Sequence, residues 1–348
     1  MNNGNIIKIA SIYMGTVIGA GFASGQEIME FFTKYGLQGF YGVIIAAILF
    51  ALIGSIILLK VHKLRITSFE ELLQTTMGAR LGQGIKSILF LLLLSGYCVM
   101  LAGSGALFQE QFGLPKILGV LSMTIVCFIT FVFSISGLAL LNTMVVPLLL
   151  VGIFAIGSIV TLQNDLTMSN GTGMVFSDMT GNWLTSSLLY VSYNSIGAIA
   201  VMSALLPLVK NKRTAVGGGI LGGLGLGLLA SFLLFPTLVL YTDLQGVEIP
   251  MMAIATRLGG NTKLGYGVLL WLAMLTTAVS NGFVFIEGIK DKLGIGQIWT
   301  ALLFCIAAIP LASFGFKSLV HTLYPLFGYI GIFVVLIMLF QSIAYRRE

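Results

Sequence analysis

The sequence predicts an all-α polytopic membrane protein with ten transmembrane helices, arranged as a five-plus-five inverted repeat with broken first and sixth helices. Three observations lead to this prediction. Of the 348 residues, 57% are hydrophobic and only 9% are charged, whereas about 25% are charged in a typical globular protein. Long apolar stretches recur along the chain. Two interruptions rich in glycine and serine lie about half the chain length apart, near residues 21 and 195.

A membrane-spanning helix needs about 20 predominantly apolar residues. Ten stretches qualify, at residues 6–33, 38–61, 83–110, 115–135, 137–161, 183–208, 214–241, 262–288, 296–314 and 319–343. If the N-terminus is cytoplasmic, thirteen of the 18 basic residues lie on the inner side. This bias agrees with the positive-inside rule, and an even number of spans then places both termini in the cytoplasm.

The spans divide the chain into a first repeat at residues 1–162, an outer loop at 163–182 and a second repeat at 183–348. Because each repeat has an odd number of spans, the second is inverted relative to the first. Two other connections predict short helices. In the inner segment 66–80, Ser68 and Glu71 form a capping box. In the outer segment 242–261, Pro250 suits the first position of a helix.

The first interruption lies between Gly19 and Gly25 and contains three glycines and a serine. Glycine costs about 1 kcal/mol relative to alanine inside a helix, so this stretch predicts a break. A break within the bilayer persists only where its backbone is buried in protein or lines a cavity. Such breaks form the solute and ion sites of many transporters. The alternative is that the glycines allow close helix packing.

The second interruption runs from Ser192 to Gly197 in the sixth span, where five of six residues are polar or glycine. Interruptions at corresponding points of two inverted halves indicate a transporter binding site. The residues predicted to contact the solute are Gly19, Gly21, Ala23 and Ser24 from the first break and Tyr193, Asn194, Ser195 and Gly197 from the second. The positive N-termini of the half-helices favour a carboxylate, hence an amino acid or a small organic acid.

The run from Gly15 to Glu27, GTVIGAGFASGQE, is followed by paired phenylalanines at 31–32 and Tyr-Gly at 35–36. These residues resemble the YkvI-type family of bacterial membrane proteins. That family is similar to the amino acid–polyamine–organocation superfamily, whose leucine-transporter-like fold is a five-plus-five inverted repeat. The resemblance covers the whole chain in topology and spans one, six and eight in residues. It implies a location in the bacterial cytoplasmic membrane.

The resemblance also implies a sodium site. In the leucine-transporter pattern, carbonyls of spans one and eight and an adjacent hydroxyl pair bind the ion. These positions correspond here to Gly15, Ile18, Ala273, Thr276 and Thr277. Neutral oxygen ligands suit a hard cation, although such hydroxyls also bond harmlessly to their own helix. Phe22 stands where the family's second sodium is held by an asparagine, which implies one sodium ion. No organic cofactor is expected.

Glu27 is an acid within the first span, and an ionisable group there indicates function. It would carry a coupling proton, receive a solute amino group or act as a gate; the alternative is a carboxylate on a wet outer wall. Glu30 is expected to be solvated, and His62 and His321 to be structural. The resemblance implies that Tyr97, in span three, contacts the solute, with a simple packing role as the alternative.

The sequence therefore predicts a secondary transporter that couples uptake of a small amino-acid-like solute to sodium by alternating access. Its partners are that solute and the lipid bilayer. The basic residues lie beside spans and do not indicate nucleic acid. One rival is a proton-coupled transporter that uses Glu27. Another is a membrane ligand sensor similar to spore-germination receptor subunits. A membrane enzyme is disfavoured, since the sequence offers neither an acid cluster nor a cysteine–histidine pairing. The sequence carries no prediction of the oligomeric state.

Overall fold

A computed structural model describes residues 3–133, 136–163 and 182–344, and these ranges are almost entirely helical. A 3-10 turn at Thr33–Tyr35 joins the third helix to the fourth. The helices are α1 Asn3–Val17, α2 Ala20–Ala23, α3 Gln26–Phe31, α4 Leu37–Leu64, α5 Phe69–Phe112, α6 Lys116–Phe133, α7 Ser136–Gln163, α8 Trp183–Ser203, α9 Lys212–Val239, α10 Tyr241–Leu244, α11 Pro250–Arg257, α12 Gly260–Leu293, α13 Gln297–Ala312 and α14 Phe316–Ala344.

Six of the described helices contain segments that are long and apolar enough to cross a membrane. These are Leu37–Leu64, Arg80–Phe112, Trp183–Ser203, Lys212–Val239, Gly260–Lys290 and Phe316–Leu339. Shorter apolar helices occur at Lys116–Val132, Pro147–Leu162 and Gln297–Ala312. The chain is thus an all-α membrane protein, whereas the count of ten spans and the inverted repeat stay predictions. Residues 164–181, which make up most of the predicted outer loop, lie outside the described residues.

The predicted break in the first helix is confirmed, because α1, α2 and α3 are separate helices. The predicted break in the sixth helix is wrong, since α8 is continuous through residues 192–197. The Asn194 amide nitrogen donates to the Tyr190 carbonyl at 3.0 Å, and the Ser195 hydroxyl donates to the Val191 carbonyl at 2.6 Å. Polar side chains that bond to their own helix leave its backbone ladder intact. The helix ends instead at Ser203, with Ala204 as its C-cap.

Both short connecting helices are confirmed. The Ser68 hydroxyl caps α5 by accepting from the Glu71 N–H at 3.2 Å, and Gly78 (φ 73°) separates this short helix from the long span. The Glu71 carboxylate accepts the backbone N–H of Thr67 at 2.8 Å, which lowers its pKa below the usual range. Pro250 is the first residue of α11.

Close helix packing determines where the functional elements meet. α4 packs against α8 and α9, while α14 packs against α8, and α12 packs against α5. A Cβ added at Gly219 or Gly223 of α9 would collide with the backbone nitrogens of Ser55 and Ala51 in α4. The missing side chains therefore allow α4 and α9 to touch through their backbones. The short helices α2 and α3 are held among these elements, against α8, α11, α12 and α14.

Candidate functional site

The first helix breaks at two points. α1 ends at Val17, and Gly19 then has extended backbone angles, φ −98° and ψ −174°. The chain turns again at Gly25, whose φ of 80° lies in the left-handed region that glycine adopts without strain. Residues 20–25 between these points are buried. The sequence thus builds a buried stretch of irregular backbone inside the protein.

Carbonyl groups of this stretch accept hydrogen bonds both from other helices and from within the stretch. The Tyr266 hydroxyl on α12 donates to the Ala23 carbonyl at 2.5 Å. The Met251 N–H, at the start of α11, donates to the Ser24 carbonyl at 2.9 Å. The Ser24 hydroxyl donates to the Gly21 carbonyl at 2.7 Å. Because an unpaired backbone group within a membrane costs several kcal/mol, these bonds stabilise the break and connect it to α11 and α12.

The Gly19 end of the break lies beside the hydroxyl pair of α12, Thr276 and Thr277. A Cβ added at Gly19 would lie 3.9 Å from the Thr277 hydroxyl oxygen. Thr276 and Thr277 both donate to the Ala273 carbonyl, at 3.0 and 2.9 Å. Each hydroxyl uses its proton in this bond and keeps lone pairs that are able to accept from a donor or bind a cation.

The backbone departs from the α-helical pattern where α1 ends. In a continuous helix the Gly19 N–H would bond to the carbonyl of Gly15, but here it bonds to that of Val17 at 3.0 Å. The Ile18 carbonyl precedes the helical ladder of α2, which begins with Ala23 N–H bonding to the Gly19 carbonyl. The donor set is therefore neutral oxygen, and its chemistry fits a sodium ion.

Glu27 lies in the first turn of α3 and is only 2% exposed. Its carboxylate lies next to the Tyr193 side chain. Its Oε2 atom is buried and has no hydrogen-bond partner among the described residues, and the same holds for Oε1 of neighbouring Gln26. A carboxylate on a wet outer wall is thereby excluded. Two buried acceptors without donors indicate that a donor group or a proton belongs here.

The space for the Glu27 carboxylate comes from Gly21. A Cβ added at Gly21 would overlap Oε1 of Glu27 and lie 3.2 Å from the hydroxyl of Tyr324 on α14. The Tyr193 ring stacks on Tyr324, with centroids 4.6 Å apart, and on Phe31, with centroids 6.1 Å apart. These two ring contacts hold the Tyr193 side chain beside the carboxylate.

The structure brings together only part of the predicted set. The first break, Glu27 and Tyr193 are adjacent, whereas the side chains of Asn194 and Ser195 bond to their own helix. A Cβ added at Gly197 meets nothing within 4 Å, so this glycine is not required for a close contact. Tyr97 lies elsewhere.

Tyr97 belongs to an aromatic cluster at the interface of α5, α6 and α13. Its hydroxyl contacts the Cys305 sulfur at 3.4 Å, and its ring packs on Phe304 at 4.5 Å and on Phe131 at 6.2 Å. The prediction that this side chain faces the breaks therefore lacks structural support. The packing role that the sequence left open describes it better.

The environment of Glu30, near the end of α3, differs from the prediction. This residue is 8% exposed, not solvated, and its carboxylate binds Lys34 at 2.5 Å and His321 at 2.8 Å. His321 thus links α14 to α3. His62 has a structural contact, from its Nδ1 to the Val209 carbonyl at 3.1 Å.

Several residues of the site were not predicted from the sequence. Tyr190 lies three positions before Tyr193, so the two share a helix face, and this spacing was a usable signal. Tyr266 and Tyr324 reach the break from helices more than 240 positions later in the chain. A lone tyrosine in an apolar span gives no local sign of such a distant contact. Gln26 was part of the quoted motif but carried no predicted role.

Two curated relatives match the chain along nearly its whole length. It is 29% identical over 352 residues to the uncharacterized membrane protein YkvI of Bacillus subtilis (strain 168), covering 100% of this chain and 99% of the relative. It is 26% identical over 338 residues to the uncharacterized protein YyaD of the same strain, covering 97% of each. The resemblance to YkvI-type proteins is confirmed. No protein-family model matches the chain.

Two solved structures share the fold. The inward-facing conformation of Mhp1 matches with a TM-score of 0.60 and 12% identity, covering 96% of this chain and 75% of that one. The substrate-bound outward-open state of a Na⁺-coupled sialic acid symporter matches with a TM-score of 0.52 and 13% identity, covering 94% and 75%. At these identities the likeness concerns the fold alone.

Proposed function

Since the chain is a relative of the YkvI-type membrane proteins and has a leucine-transporter-like fold, we propose that it is a secondary transporter and not an enzyme. It moves a small amino-acid-like solute across the bacterial cytoplasmic membrane by alternating access. The observation that carries this proposal is the buried break of the first helix, held between α8, α11, α12 and α14. Irregular backbone at membrane depth is the usual solute site of such transporters.

We propose sodium as the coupling ion. Its ligands are the carbonyls of Gly15, Ile18 and Ala273 and the hydroxyls of Thr276 and Thr277. The adjacency of Gly19 and Thr277 supports this set, because it joins the inner end of the break to α12. An ion shared by α1 and α12 favours the conformation in which both elements are close. A ligand shifts a conformational equilibrium only through such differential affinity.

We place the solute beside Gly19, Gly21, Ala23, Ser24 and Tyr193. Asn194, Ser195 and Gly197 follow Tyr193 on α8 and complete the proposed set. The helices α2 and α3 have four and six residues, too short for the helix-dipole argument that favoured a carboxylate. The buried oxygens of Glu27 and Gln26 favour the amino group of the solute instead, because that group supplies donors.

The proposed architecture has two five-helix halves, residues 1–162 and 183–348, joined by an outer loop at 163–182. The proposed orientation places both termini in the cytoplasm. In this orientation α11 lies on the outer side, where the bond from Met251 to Ser24 connects it to the break.

A thermal-shift screen tests the proposal. The purified protein is heated with amino acids, amines and small organic acids in matched sodium and potassium buffers. We expect at least one solute with an amino group to raise the melting temperature, and to do so more in sodium. If no such solute stabilises the protein, or if sodium and potassium act alike, the proposal of sodium-coupled amino-acid-like transport is wrong.

A proton-coupled transporter is the second candidate, and the burial of Glu27 favours it. A buried carboxylate whose Oε2 has no donor among the described residues is suited to carry a proton. In this case Glu27 itself is the coupling group, with Tyr193 next to its carboxylate. The hydroxyls of Thr276 and Thr277 would then serve only to bond to their own helix.

A further inference from the structure

A groove lies between α4, α8 and α14, apart from the break. It is lined by residues 49–56 of α4, 188–192 of α8 and 332–339 of α14. Its volume is about 630 Å³, within the range of about 300–1,000 Å³ for small-molecule sites. Ser192 is the one polar residue in its lining. An amino-acid-like solute needs more polar partners than this groove offers.

The groove opens to the surroundings of the protein. Leu52 of α4, Leu188 of α8 and Leu336 of α14 line it and are 53%, 37% and 45% exposed. All three lie in helices apolar enough to span a membrane. Their exposed sides therefore face lipid hydrocarbon, and the most abundant molecules able to enter the groove are lipid acyl chains.

A buried cation lies at one end of the groove. Lys60 follows Ile56 by one turn on the same face of α4. It is 9% exposed, and its Nζ donates to the Met338 carbonyl of α14 at 3.2 Å. An ammonium group has three donors. None of the ion pairs found between described residues involves Lys60, so this charge lacks a carboxylate partner there.

A buried charge of this kind needs an anion. A charged side chain within a membrane is costly unless it is paired or reaches the interface. Lys60 follows the last groove residue of α4, Ile56, by one turn and bonds to α14 beside Leu339, so it gives this end of the groove a positive charge. An apolar groove with a cationic end is complementary to an amphiphile that has an acidic head group.

We propose that the groove and Lys60 form a binding site for one anionic phospholipid of the inner leaflet. An acyl chain lies along α4, α8 and α14, and a phosphate oxygen accepts a hydrogen bond from the Lys60 ammonium group. The site joins helices of the first and second halves of the chain, so a bound lipid braces α4 against α14. This inference is independent of the transported solute and of the coupling ion.

Lipid titrations in detergent test the site. Native mass spectrometry of the purified full chain gives dissociation constants for phosphatidylglycerol and phosphatidylcholine. Lys60→Gln removes the charge but keeps a donor for the Met338 carbonyl. We expect it to weaken phosphatidylglycerol binding about tenfold or more, as loss of a charged hydrogen bond implies, and to leave phosphatidylcholine unchanged. Lys60→Arg should bind like wild type. Lys86→Gln is the control, because Lys86 is an inner basic residue paired with Glu70 away from the groove.

Leu52→Trp provides a second, independent variant that fills the groove and keeps the charge. We expect it to lose the tight phosphatidylglycerol site. If Lys60→Gln and Leu52→Trp both bind phosphatidylglycerol like wild type, Lys60 only extends to the interface as a topological charge, and the proposal is wrong. Equal affinity of wild type for the two lipids would also overturn it, because the ammonium group would then have no role.

Discussion

Thr277 carries most of the sodium proposal at the scale of single residues. Its hydroxyl bonds to the Ala273 carbonyl at 2.9 Å and lies beside Gly19. In Thr277→Ala this oxygen is lost, while the intrinsic helix propensity improves. We expect a loss of about 1–3 kcal/mol, as for an unsatisfied polar group, which is about five- to hundred-fold in sodium affinity. Thr277→Ser keeps the oxygen and should be mild.

The measurement is solute binding against sodium concentration. Thr130→Ala is the matched control, because the Thr130 hydroxyl bonds to the Val126 carbonyl of α6 in the same way, at 2.7 Å. This variant should bind sodium like wild type. If Thr277→Ala and Thr130→Ala behave alike, the hydroxyl pair of α12 is structural.

Glu27 separates the two coupling proposals. Glu27→Gln keeps the shape and the Tyr193 contact but removes the charge. If sodium is the coupling ion, we expect this variant to bind an amino-bearing solute about tenfold or more weakly and to keep its sodium dependence. Binding isotherms at several sodium concentrations measure both effects. Glu70→Gln, which removes an exposed carboxylate, is the control. Unchanged solute affinity would remove Glu27 from the solute site.

The same residue shows what sequence alone can reach. Glu27 was predictable as functional, since a carboxylate within an apolar span is conspicuous. Its neighbours were not: Tyr324 lies almost 300 positions further along the chain, and no local pattern indicates the contact. Glu30 was predicted to be solvated from its place near the end of the first span, and its partner His321 is equally distant along the chain. Pairings of this kind depend on how helices pack.

At the scale of elements, Gly25 lies where the break packs against α11. Its φ of 80° allows the turn into α3, and a Cβ there would lie 2.9 Å from Cγ of Met251 on α11. Gly25→Ala should destabilise the protein by about 1–2 kcal/mol, the cost of a left-handed alanine, because both strain and crowding act at one position.

Thermal unfolding in detergent checks this prediction. Gly84→Ala is the control, because a Cβ at Gly84 in α5 meets nothing within 4 Å, so the change should be neutral or gain up to about 1 kcal/mol. A Gly25→Ala protein as stable as the control would show that the turn does not depend on glycine.

The two interruptions differ for a physical reason. Glycine at the first one weakens the helix itself, so the break was predictable from composition. In the second interruption, the polar side chains of Asn194 and Ser195 donate hydrogen bonds to backbone carbonyls of their own helix, α8. Polarity within a span therefore did not imply a break. The real end of α8, at Ser203, precedes Pro207, and proline was the better signal there.

At the scale of the whole molecule, the predicted orientation of the chain rests on the distribution of its basic residues. Single cysteines at Thr172, outside the described residues, and at Lys210, just before α9, should react with an impermeant reagent from opposite sides of the membrane. Cys98, Cys127 and Cys305 are buried, so wild type should show little background labelling. Labelling of both positions from one side would contradict the predicted orientation and the inverted repeat.

The membrane class and the helix positions were predictable, because apolar length and charge bias act locally along the chain. Most predicted ends of the spans differ from the observed helix ends by a few residues, because capping residues and prolines determine where a helix ends. The sequence carried no information on which face of each helix meets another, and so the groove between α4, α8 and α14 was not predictable.

Solute uptake into liposomes tests the central claim most directly. The protein is reconstituted, and the solute found by the thermal-shift screen is supplied outside with an inward sodium gradient and no pH gradient. We predict accumulation above the outside concentration, lost when potassium replaces sodium and strongly reduced in Thr277→Ala. Uptake that follows a pH gradient and ignores sodium would contradict sodium coupling. Binding without accumulation under either gradient would contradict transport itself and indicate a membrane sensor.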